Sequence, residues 1–391
     1  MVVTAVTLLL ILASFATNKR GFKKYCYFCI VILSGVYFFF NPLLVWHGYD
    51  LARYYDQLRY YDQISLLDAF LGRGGYIGDS MFQDTISNYP LYNVYMFIFA
   101  KIGIPKLLAF VTGILCRSLE LSSIFAVMDE RKIILTQQQR TFLLGSFLML
   151  HNLVEIGGIR NPIAVNLCIW AIVHELVLKR DRGFSILCYI LACLCHSMAF
   201  VIVGIRLLLF LSDGIWKRVF HIMVFMIFIS FMILNFFPTM LTSMILGLNL
   251  PDIVINAVGK IDLYTRDLTN YPVWQLVIFA YTYIIFFLIV SKLKKENSED
   301  VGINDLYRFL FLFLLIVLLN VKVTSLFGRS RMLIYPIFCI CLPVYLTRNE
   351  QPFKSFSRMP ARLIFATSAI FLIFSFDIYV SYLTMDSYIH I

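Results

Sequence analysis

The chain has 391 residues, of which 60% are hydrophobic and 14% are charged, and its formal net charge is +10. A typical soluble protein has about 25% charged residues, so this chain has too few charges to cover a water-exposed surface, and a soluble globular protein is excluded. The net charge does not indicate a nucleic-acid partner, because Lys and Arg in the loops of a membrane protein also set its orientation. We therefore predict an integral membrane protein.

Apolar runs between charged breaks predict about twelve transmembrane helices. In chain order they lie near 2–17, 25–46, 106–128, 141–157, 162–178, 184–196, 198–212, 219–237, 273–291, 306–326, 332–347 and 361–380. The apolar segment 89–102 is too short to cross comfortably and is followed by Gly103 and Pro105, which predicts a re-entrant or interfacial helix on the outer face. The expected fold is an all-α polytopic membrane protein with a single domain, residues 1–391.

The basic residues predict the orientation of these helices. The first apolar run is followed rather than preceded by Lys and Arg, which predicts an uncleaved span with its N-terminus outside. The loops that are then cytoplasmic hold 20 of the 33 Lys and Arg residues, counting Arg308 just beyond one of them. Both termini are predicted outside, with two long extracytoplasmic loops: 47–90, which is expected to carry interfacial helices, and 238–272.

The cysteines do not indicate a disulfide framework or a metal site. All nine fall in or beside apolar runs, as small buried hydrophobic side chains do. Cys26 and Cys29 have the spacing of a metal or redox pair, but no second pair lies near them. Nothing resembles the three protein ligands of a catalytic zinc site, so we expect no metal and no cofactor.

Two clusters of ionisable residues in the middle of the chain are predicted at outer ends of spans, where charges are costly unless they serve a site. Arg160 stands in EIGGIRNPIA between two spans, with Glu155 about one turn away. A positive charge on the outer side opposes the topology rule, which favours a functional role for Arg160 over a snorkelling one. His196 stands in CLCHSMAF at a reversal of the chain, where an imidazole can accept a proton from a hydroxyl group.

A third cluster lies late in the chain, again at the outer end of a span. Arg329 and Arg331 stand in LFGRSRMLIYP and are followed by Tyr335. Two guanidinium groups so close together suit a diphosphate or carboxylate, which arginine binds through paired hydrogen bonds. Arg117 and Arg206, by contrast, lie within or near spans and are expected to pair with a carboxylate or to snorkel.

The three clusters are predicted on the same side of the membrane. Fixed positive charge stabilises a polyanion, and a base nearby can take up a proton. This combination fits transfer from a diphosphate-activated donor, since the protein then needs mainly to position the reactants and neutralise charge.

The segment GYDLARYYDQLRYYDQ, residues 48–63, repeats Arg-Tyr-Tyr-Asp-Gln just after the second predicted span. On a helix, Asp50 lies beside Arg53 and Tyr54 at positions i+3 and i+4. Residues six apart point about 120° from one another, so the two copies do not share a face. We predict that Asp50, Arg53 and Tyr54 face the sugar or diphosphate, whereas the second copy lies on lipid headgroups or packs on the next loop.

These residues, in this order, resemble the EpsG-like family of bacterial polysaccharide polymerases, which belongs with the wider Wzy-type polymerases. The resemblance covers roughly residues 40 to 340 and rests on four short motifs. They are Gly48-Tyr49-Asp50 with Arg53 and Tyr54, Arg160-Asn161-Pro162-Ile163-Ala164, Cys195-His196-Ser197, and Arg329 through Tyr335-Pro336. Tyr49 stands where the family usually has Thr, and Asn161-Pro162 replaces a common Gln-Gly.

The resemblance implies a GT-C-related fold and a metal-independent reaction at the outer face of the bacterial inner membrane. The reaction joins undecaprenyl-diphosphate-linked oligosaccharide repeats, which serve as donor and acceptor. Arg160 and the pair Arg329 and Arg331 would hold the lipid diphosphate. His196 would be the base or an orienting group for the acceptor hydroxyl, with Asp50 as the competing base. Candidate protein partners are a chain-length regulator and a flippase.

Two other classes of function stay open at this point. One is another membrane transferase: either a glycosyltransferase that uses a monophosphate-linked sugar with Asp50 as base, or an acyltransferase that uses His196. An acyltransferase would need acyl-CoA from the cytoplasm, whereas His196 is predicted outside. The other class is a transporter or flippase for lipid-linked oligosaccharide, which predicts inverted halves that the sequence does not convincingly show.

Overall fold

The computed structural model describes residues 2–40, 50–72, 89–150, 158–212, 273–296, 299–319 and 329–348, and helices are the only regular secondary structure in these ranges. In chain order the helices are α1 (Val2–Ala13), α2 (Phe22–Phe40), α3 (Asp50–Tyr61), α4 (Leu66–Leu71), α5 (Pro90–Ile102), α6 (Pro105–Glu130), α7 (Gln137–Leu150), α8 (Arg160–Ile172), α9 (Arg182–Cys193), α10 (Met198–Ser212), α11 (Val273–Glu296), α12 (Val301–Leu319) and α13 (Arg331–Arg348). The 3-10 turn Ser14–Ala16 follows α1, and the π-helical segment Val173–Val177 continues α8.

A helix overlies each predicted span that falls in the described ranges, which confirms the helical class. Two of these helices are long and apolar enough to cross a membrane: Pro105–Glu130 and Val301–Leu318. Shorter apolar helices in the same ranges are Val6–Ala16, Arg182–Cys193, Met198–Phe210 and Arg331–Thr347. The predicted spans near 219–237 and 361–380 and the loop 238–272 lie outside the described residues, so the count of twelve spans stays a prediction.

The chain forms two compact units, one of Met1–Phe200 with Tyr335–Ile391 and one of Val201–Ile334. In the first unit, α8 packs on both α9 and α6, and α6 packs on α2. Both α6 and α8 bury small side chains, which lets apolar helices approach closely. The cysteines are part of this packing: eight of the nine are buried, which confirms their interpretation as small hydrophobic side chains.

Helix α6 also buries an ion pair. The Arg117 Nη1 donates to both carboxylate oxygens of Glu120, at 2.8 and 2.7 Å, and the two side chains are 7% and 2% exposed. A buried charge costs several kcal/mol unless it is paired. The pairing therefore explains how an arginine lies within an apolar helix, which is the structural role expected for Arg117.

Short polar signals fix the helices of the predicted first outer loop and the segment after it. The Ser65 hydroxyl oxygen accepts the backbone N–H of Asp68 at 3.1 Å and caps α4, which ends at Gly72 with a φ of +64°. Helix α5 starts at Pro90 and ends at Gly103, whose φ is +72°. A helix over the predicted segment 89–102 is thus confirmed, while its interfacial location stays a prediction.

In the second unit, α11 and α12 pack against each other as a helical hairpin. The ring of Phe287 stacks on that of Tyr307, with centroids 5.2 Å apart. The Ser330 hydroxyl donates to the buried hydroxyl oxygen of Tyr283 at 2.9 Å. This bond ties the chain just before α13 to α11.

Candidate functional site

Arg160 is the first residue of α8, and its guanidinium group lies against two tyrosine rings. The guanidinium carbon is 5.6 Å from the centroid of the Tyr89 ring and 5.2 Å from that of Tyr92. Both rings come from the start of α5, on either side of Pro90. A cation over an aromatic face gains about 0.5 to 2 kcal/mol, and more as water is removed. These contacts hold the guanidinium group between α5 and α8.

Tyr54 of α3 contacts the residues around Arg160. Its hydroxyl donates to the carbonyl oxygen of Gly158 at 3.2 Å, and its side chain is also hydrogen-bonded to Arg160. The Tyr54 ring meets the Tyr92 ring edge-on, with centroids 5.8 Å apart. Since Tyr54 is only 6% exposed, we interpret it as a residue that positions Arg160 rather than one that contacts substrate.

Two buried hydrogen bonds join α3 to α5 and so fix the rings. The Tyr61 hydroxyl donates to Oδ1 of Asn93 at 2.8 Å, and the Tyr92 hydroxyl donates to Oε1 of Gln57 at 3.2 Å. Burial raises the pKa of the Tyr61 phenol above its ordinary value, so the hydroxyl keeps its proton and donates. Helix α3 is thereby held with Tyr54 against Arg160.

His196 lies at the corner between α9 and α10 and stacks on Tyr89, with ring centroids 6.0 Å apart and planes within 14°. Its Nδ1 accepts the backbone N–H of Met198 at 3.1 Å and caps the start of α10. A nitrogen that accepts a hydrogen bond carries no proton, so the neutral imidazole carries its proton on Nε2. His196 is therefore set up as a donor through Nε2, and the Tyr89 ring contacts both His196 and Arg160.

A backbone hydrogen bond joins the start of α5 to the end of α9. The N–H of Leu91 donates to the carbonyl oxygen of Leu194 at 3.3 Å.

The backbone is strained just before Arg160. The preceding residue, Ile159, is fully buried with a φ of +37°. A β-branched residue with positive φ is a genuine outlier, and such strain costs about 1 to 3 kcal/mol and concentrates at functional sites.

The structure thus brings together three residues that the sequence singled out: Tyr54, Arg160 and His196. Asp50 begins α3, one turn before Tyr54, and Arg53 lies in the same helix. The side chains of Asp50 and Arg53 lie outside the described part of the chain, as does Glu155. Their predicted contacts with substrate stay predictions.

The two arginines of the late cluster belong to the second unit. Arg329 and Arg331 flank the buried Ser330, and Arg331 is the first residue of α13. Tyr335, four residues further along α13, is assigned to the first unit and is 2% exposed. A diphosphate-binding role for this pair stays a prediction.

Tyr89 and Tyr92 are the functional candidates that sequence reasoning missed. The segment NYPLYNVY places them three residues apart at the start of a helix that begins at Pro90, so both lie near one side of the helix start. That spacing was the available signal. The spacing does not predict that Arg160, about 70 positions later, lies against the same rings. That contact is visible only in the tertiary structure.

The site therefore combines one guanidinium group, aromatic faces and an imidazole N–H donor. Aromatic faces pack on the apolar faces of sugar rings, and a guanidinium fork binds phosphate oxygens. Among the described residues, no group of three or more His, Cys, Asp or Glu side chains is placed to hold a metal ion. The arrangement suits a ligand that has both a sugar and a phosphate group.

The fold and this site define a helical membrane protein with a cationic, aromatic site at a junction of short helices. The chain belongs to the EpsG family, whose model matches residues 27–389. That range contains every residue of the site, and family membership supports a function of the polysaccharide polymerase type in a membrane. No curated protein and no solved structure was found to match the chain.

Proposed function

We propose that this protein is a glycosyltransferase of the Wzy type. It joins undecaprenyl-diphosphate-linked oligosaccharide repeats into an O-antigen, a capsular polysaccharide or an exopolysaccharide at the outer face of the bacterial inner membrane. The observation that carries this proposal is the guanidinium group of Arg160 held on the rings of Tyr89 and Tyr92, beside His196. Membership of the EpsG family supports it.

In the proposed reaction, a hydroxyl oxygen of the acceptor sugar attacks the anomeric carbon of the donor sugar. A glycosidic C–O bond forms as the C–O bond to the diphosphate breaks. Undecaprenyl diphosphate leaves with the bonding electron pair, and the hydroxyl proton passes to a base. The leaving oxygen gains negative charge in the transition state, so a guanidinium group already in position lowers the barrier. We assign this metal-independent role to Arg160.

His196 and Asp50 divide the remaining roles in this proposal. The Nδ1 of His196 is already engaged by Met198, which favours an orienting role, with Nε2–H donating to an oxygen of the acceptor sugar. The proton of the attacking hydroxyl then passes to the carboxylate of Asp50, at the start of α3. A carboxylate can accept that proton because the hydroxyl becomes acidic as its bond to carbon forms.

Substitutions at His196 separate the orienting role from a base role. Glutamine has an amide N–H₂ that donates but cannot take up a proton, so we expect His196→Gln to retain polymer formation within about tenfold of wild type and His196→Ala to lose about 100-fold. The measurement is the rate of polymer formation by purified protein in liposomes. Equal losses in the two variants would instead make His196 the base.

Substitutions at Tyr89 test the ring shared by Arg160 and His196. Tyr89→Phe keeps the aromatic face, and we expect near-wild-type polymer formation. Tyr89→Ala removes a cation–π contact of about 0.5 to 2 kcal/mol, which corresponds to a loss of about 2- to 30-fold in the same assay. Tyr27→Ala is the matched control, since Tyr27 contacts Phe125 near the far end of α6. A Tyr89→Ala variant as active as Tyr27→Ala would remove Tyr89 from the site.

Cells that lack the protein test the proposed function itself. We expect their surface polysaccharide to carry single repeat units only, and the wild-type chain to restore long polymer when expressed from a plasmid. Electrophoresis of the extracted polysaccharide gives the distribution of chain lengths. Full-length polymer in cells without the protein would contradict the proposal.

A further inference from the structure

A basic groove lies in the second unit, where α11 ends and α12 begins. It has a volume of about 720 Å³ and is lined by Ser291, Lys294, Lys295, Asn304, Tyr307 and Arg308. Each helix contributes residues at positions i, i+3 and i+4, which share one helix face. Three of the six lining residues are cations and none is a carboxylate. The volume is within the usual range for ligand sites, about 300 to 1,000 Å³.

Three carboxylates of the hairpin lie outside the groove lining and have partners. Asp305 pairs with Arg308, with 3.5 Å between Oδ1 and Nη1, and Glu296 pairs with Lys292 at 3.6 Å. Asp300 caps the first turn of α12 through its Oδ1. These contacts leave the positive charge of the groove to its lysines.

Lys294 and Lys295 provide that charge. The Lys294 Nζ lies 4.2 Å from the centroid of the Tyr307 ring. In the part of the chain that the structure describes, neither lysine forms an ion pair with a carboxylate. Two ammonium groups in a concave site without carboxylates favour an anionic ligand.

An apolar surface continues from the groove along the same hairpin. Phe287 stacks on Tyr307 and also contacts the ring of Phe311, at 6.1 Å between centroids. Phe311 is 48% exposed, and on α11 Ile284 and Leu288 are 49% and 58% exposed. A ligand that fits both features has an anionic head and a long apolar tail.

We propose that this groove binds the phosphate group of an anionic phospholipid, with the acyl chains along the exposed apolar surface of α11 and α12. Free phosphate can bind the lysines alone, whereas a phospholipid bound there contacts both the lysines and the adjoining apolar surface. The predicted topology assigns this end of the hairpin to the cytoplasmic leaflet, where anionic lipids attract basic segments next to spans.

Native mass spectrometry of the full-length protein in detergent tests this site, with phosphatidylglycerol as probe and phosphatidylcholine of the same acyl chains as the neutral comparison. We expect stronger binding of phosphatidylglycerol, and binding about 10- to 30-fold weaker in Lys294→Gln/Lys295→Gln, because each basic residue contributes about 1 kcal/mol. Lys294→Arg/Lys295→Arg keeps both charges and is expected to retain binding. Lys23→Gln/Lys24→Gln, at the start of α2, is the matched control and is expected to bind like wild type.

Three results would overturn the proposal. The first is unchanged phosphatidylglycerol binding in Lys294→Gln/Lys295→Gln. The second is equal binding of the two lipids by the wild-type protein. The third is displacement of phosphatidylglycerol by an equal concentration of inorganic phosphate, which would assign the groove to a free anion. None of these readouts depends on polymer formation, so the test is independent of the proposed function.

Discussion

Replacing Arg160 with glutamine is expected to lower the rate of polymer formation about 100- to 1,000-fold, the usual cost of removing one positioned charge or donor from a transition state. Glutamine keeps polar atoms near the rings of Tyr89 and Tyr92 but removes the positive charge that the leaving diphosphate needs. Arg160→Lys keeps the charge without the planar fork, so we expect an intermediate rate. The rate is measured with purified protein and a lipid-linked repeat in liposomes.

Arg140→Gln is the matched control for this experiment. Arg140 is buried, lies 5.7 Å from the ring centroid of Phe22 and donates to the carbonyl oxygen of Thr17 at 3.2 Å. It belongs to the same unit but not to the site. We expect Arg140→Gln to leave the rate unchanged. A wild-type rate in Arg160→Gln, or an equal loss in both variants, would contradict the role given to Arg160.

The second large effect is on stability, at the buried pair of α6. Glu120→Gln leaves the guanidinium of Arg117 buried without its carboxylate, and we expect a loss of about 3 to 5 kcal/mol in the free energy of unfolding. Replacing both partners by methionine removes the buried charges together, and we expect a much smaller change. The measurement is unfolding of the detergent-solubilised protein by sodium dodecyl sulfate, followed by circular dichroism.

The exposed pair of Lys101 and Asp62 is the control for the buried one. Their side chains are 45% and 61% exposed and their charged atoms are 3.4 Å apart. Solvent screens such a pair, so Asp62→Asn is expected to cost less than about 1 kcal/mol. If Glu120→Gln costs no more than Asp62→Asn, the buried pair does not stabilise the fold as described.

Much of the helical fold follows from local signals in the sequence. Pro90 and Pro105 stand at the first positions of α5 and α6, and Gly103 ends α5 with a positive φ. Apolar runs placed helices over the spans that fall in the described residues. Helix α10, for example, has the predicted bounds of 198–212 because charge and polarity change sharply at both ends.

The site was predictable only in part, because its parts come from distant stretches of the chain. Arg160 and His196 were marked by the cost of an ionisable group at the end of an apolar segment. Tyr89 is one aromatic residue among 23 tyrosines, and only its contacts with Arg160 and His196 distinguish it. The role of Tyr54 likewise depends on its burial. Its sequence position, four residues after Asp50, does not predict that burial.

The orientation of the His196 ring was also not predictable from the sequence. The sequence left open whether its imidazole is a base or an orienting group. The hydrogen bond from the N–H of Met198 to Nδ1 depends on the corner between α9 and α10. That corner is set by packing on α5, including the bond between Leu91 and Leu194. The tautomer is therefore a tertiary property.

Reconstitution of the purified protein with an undecaprenyl-diphosphate-linked repeat unit tests the proposed polymerase activity most directly. We predict a ladder of products that differ by one repeat, released together with undecaprenyl diphosphate, and formation of this ladder about 100- to 1,000-fold more slowly in the Arg160→Gln variant. A substrate that stays at one repeat, or that crosses the bilayer without a new glycosidic bond, would contradict polymerisation and favour a carrier.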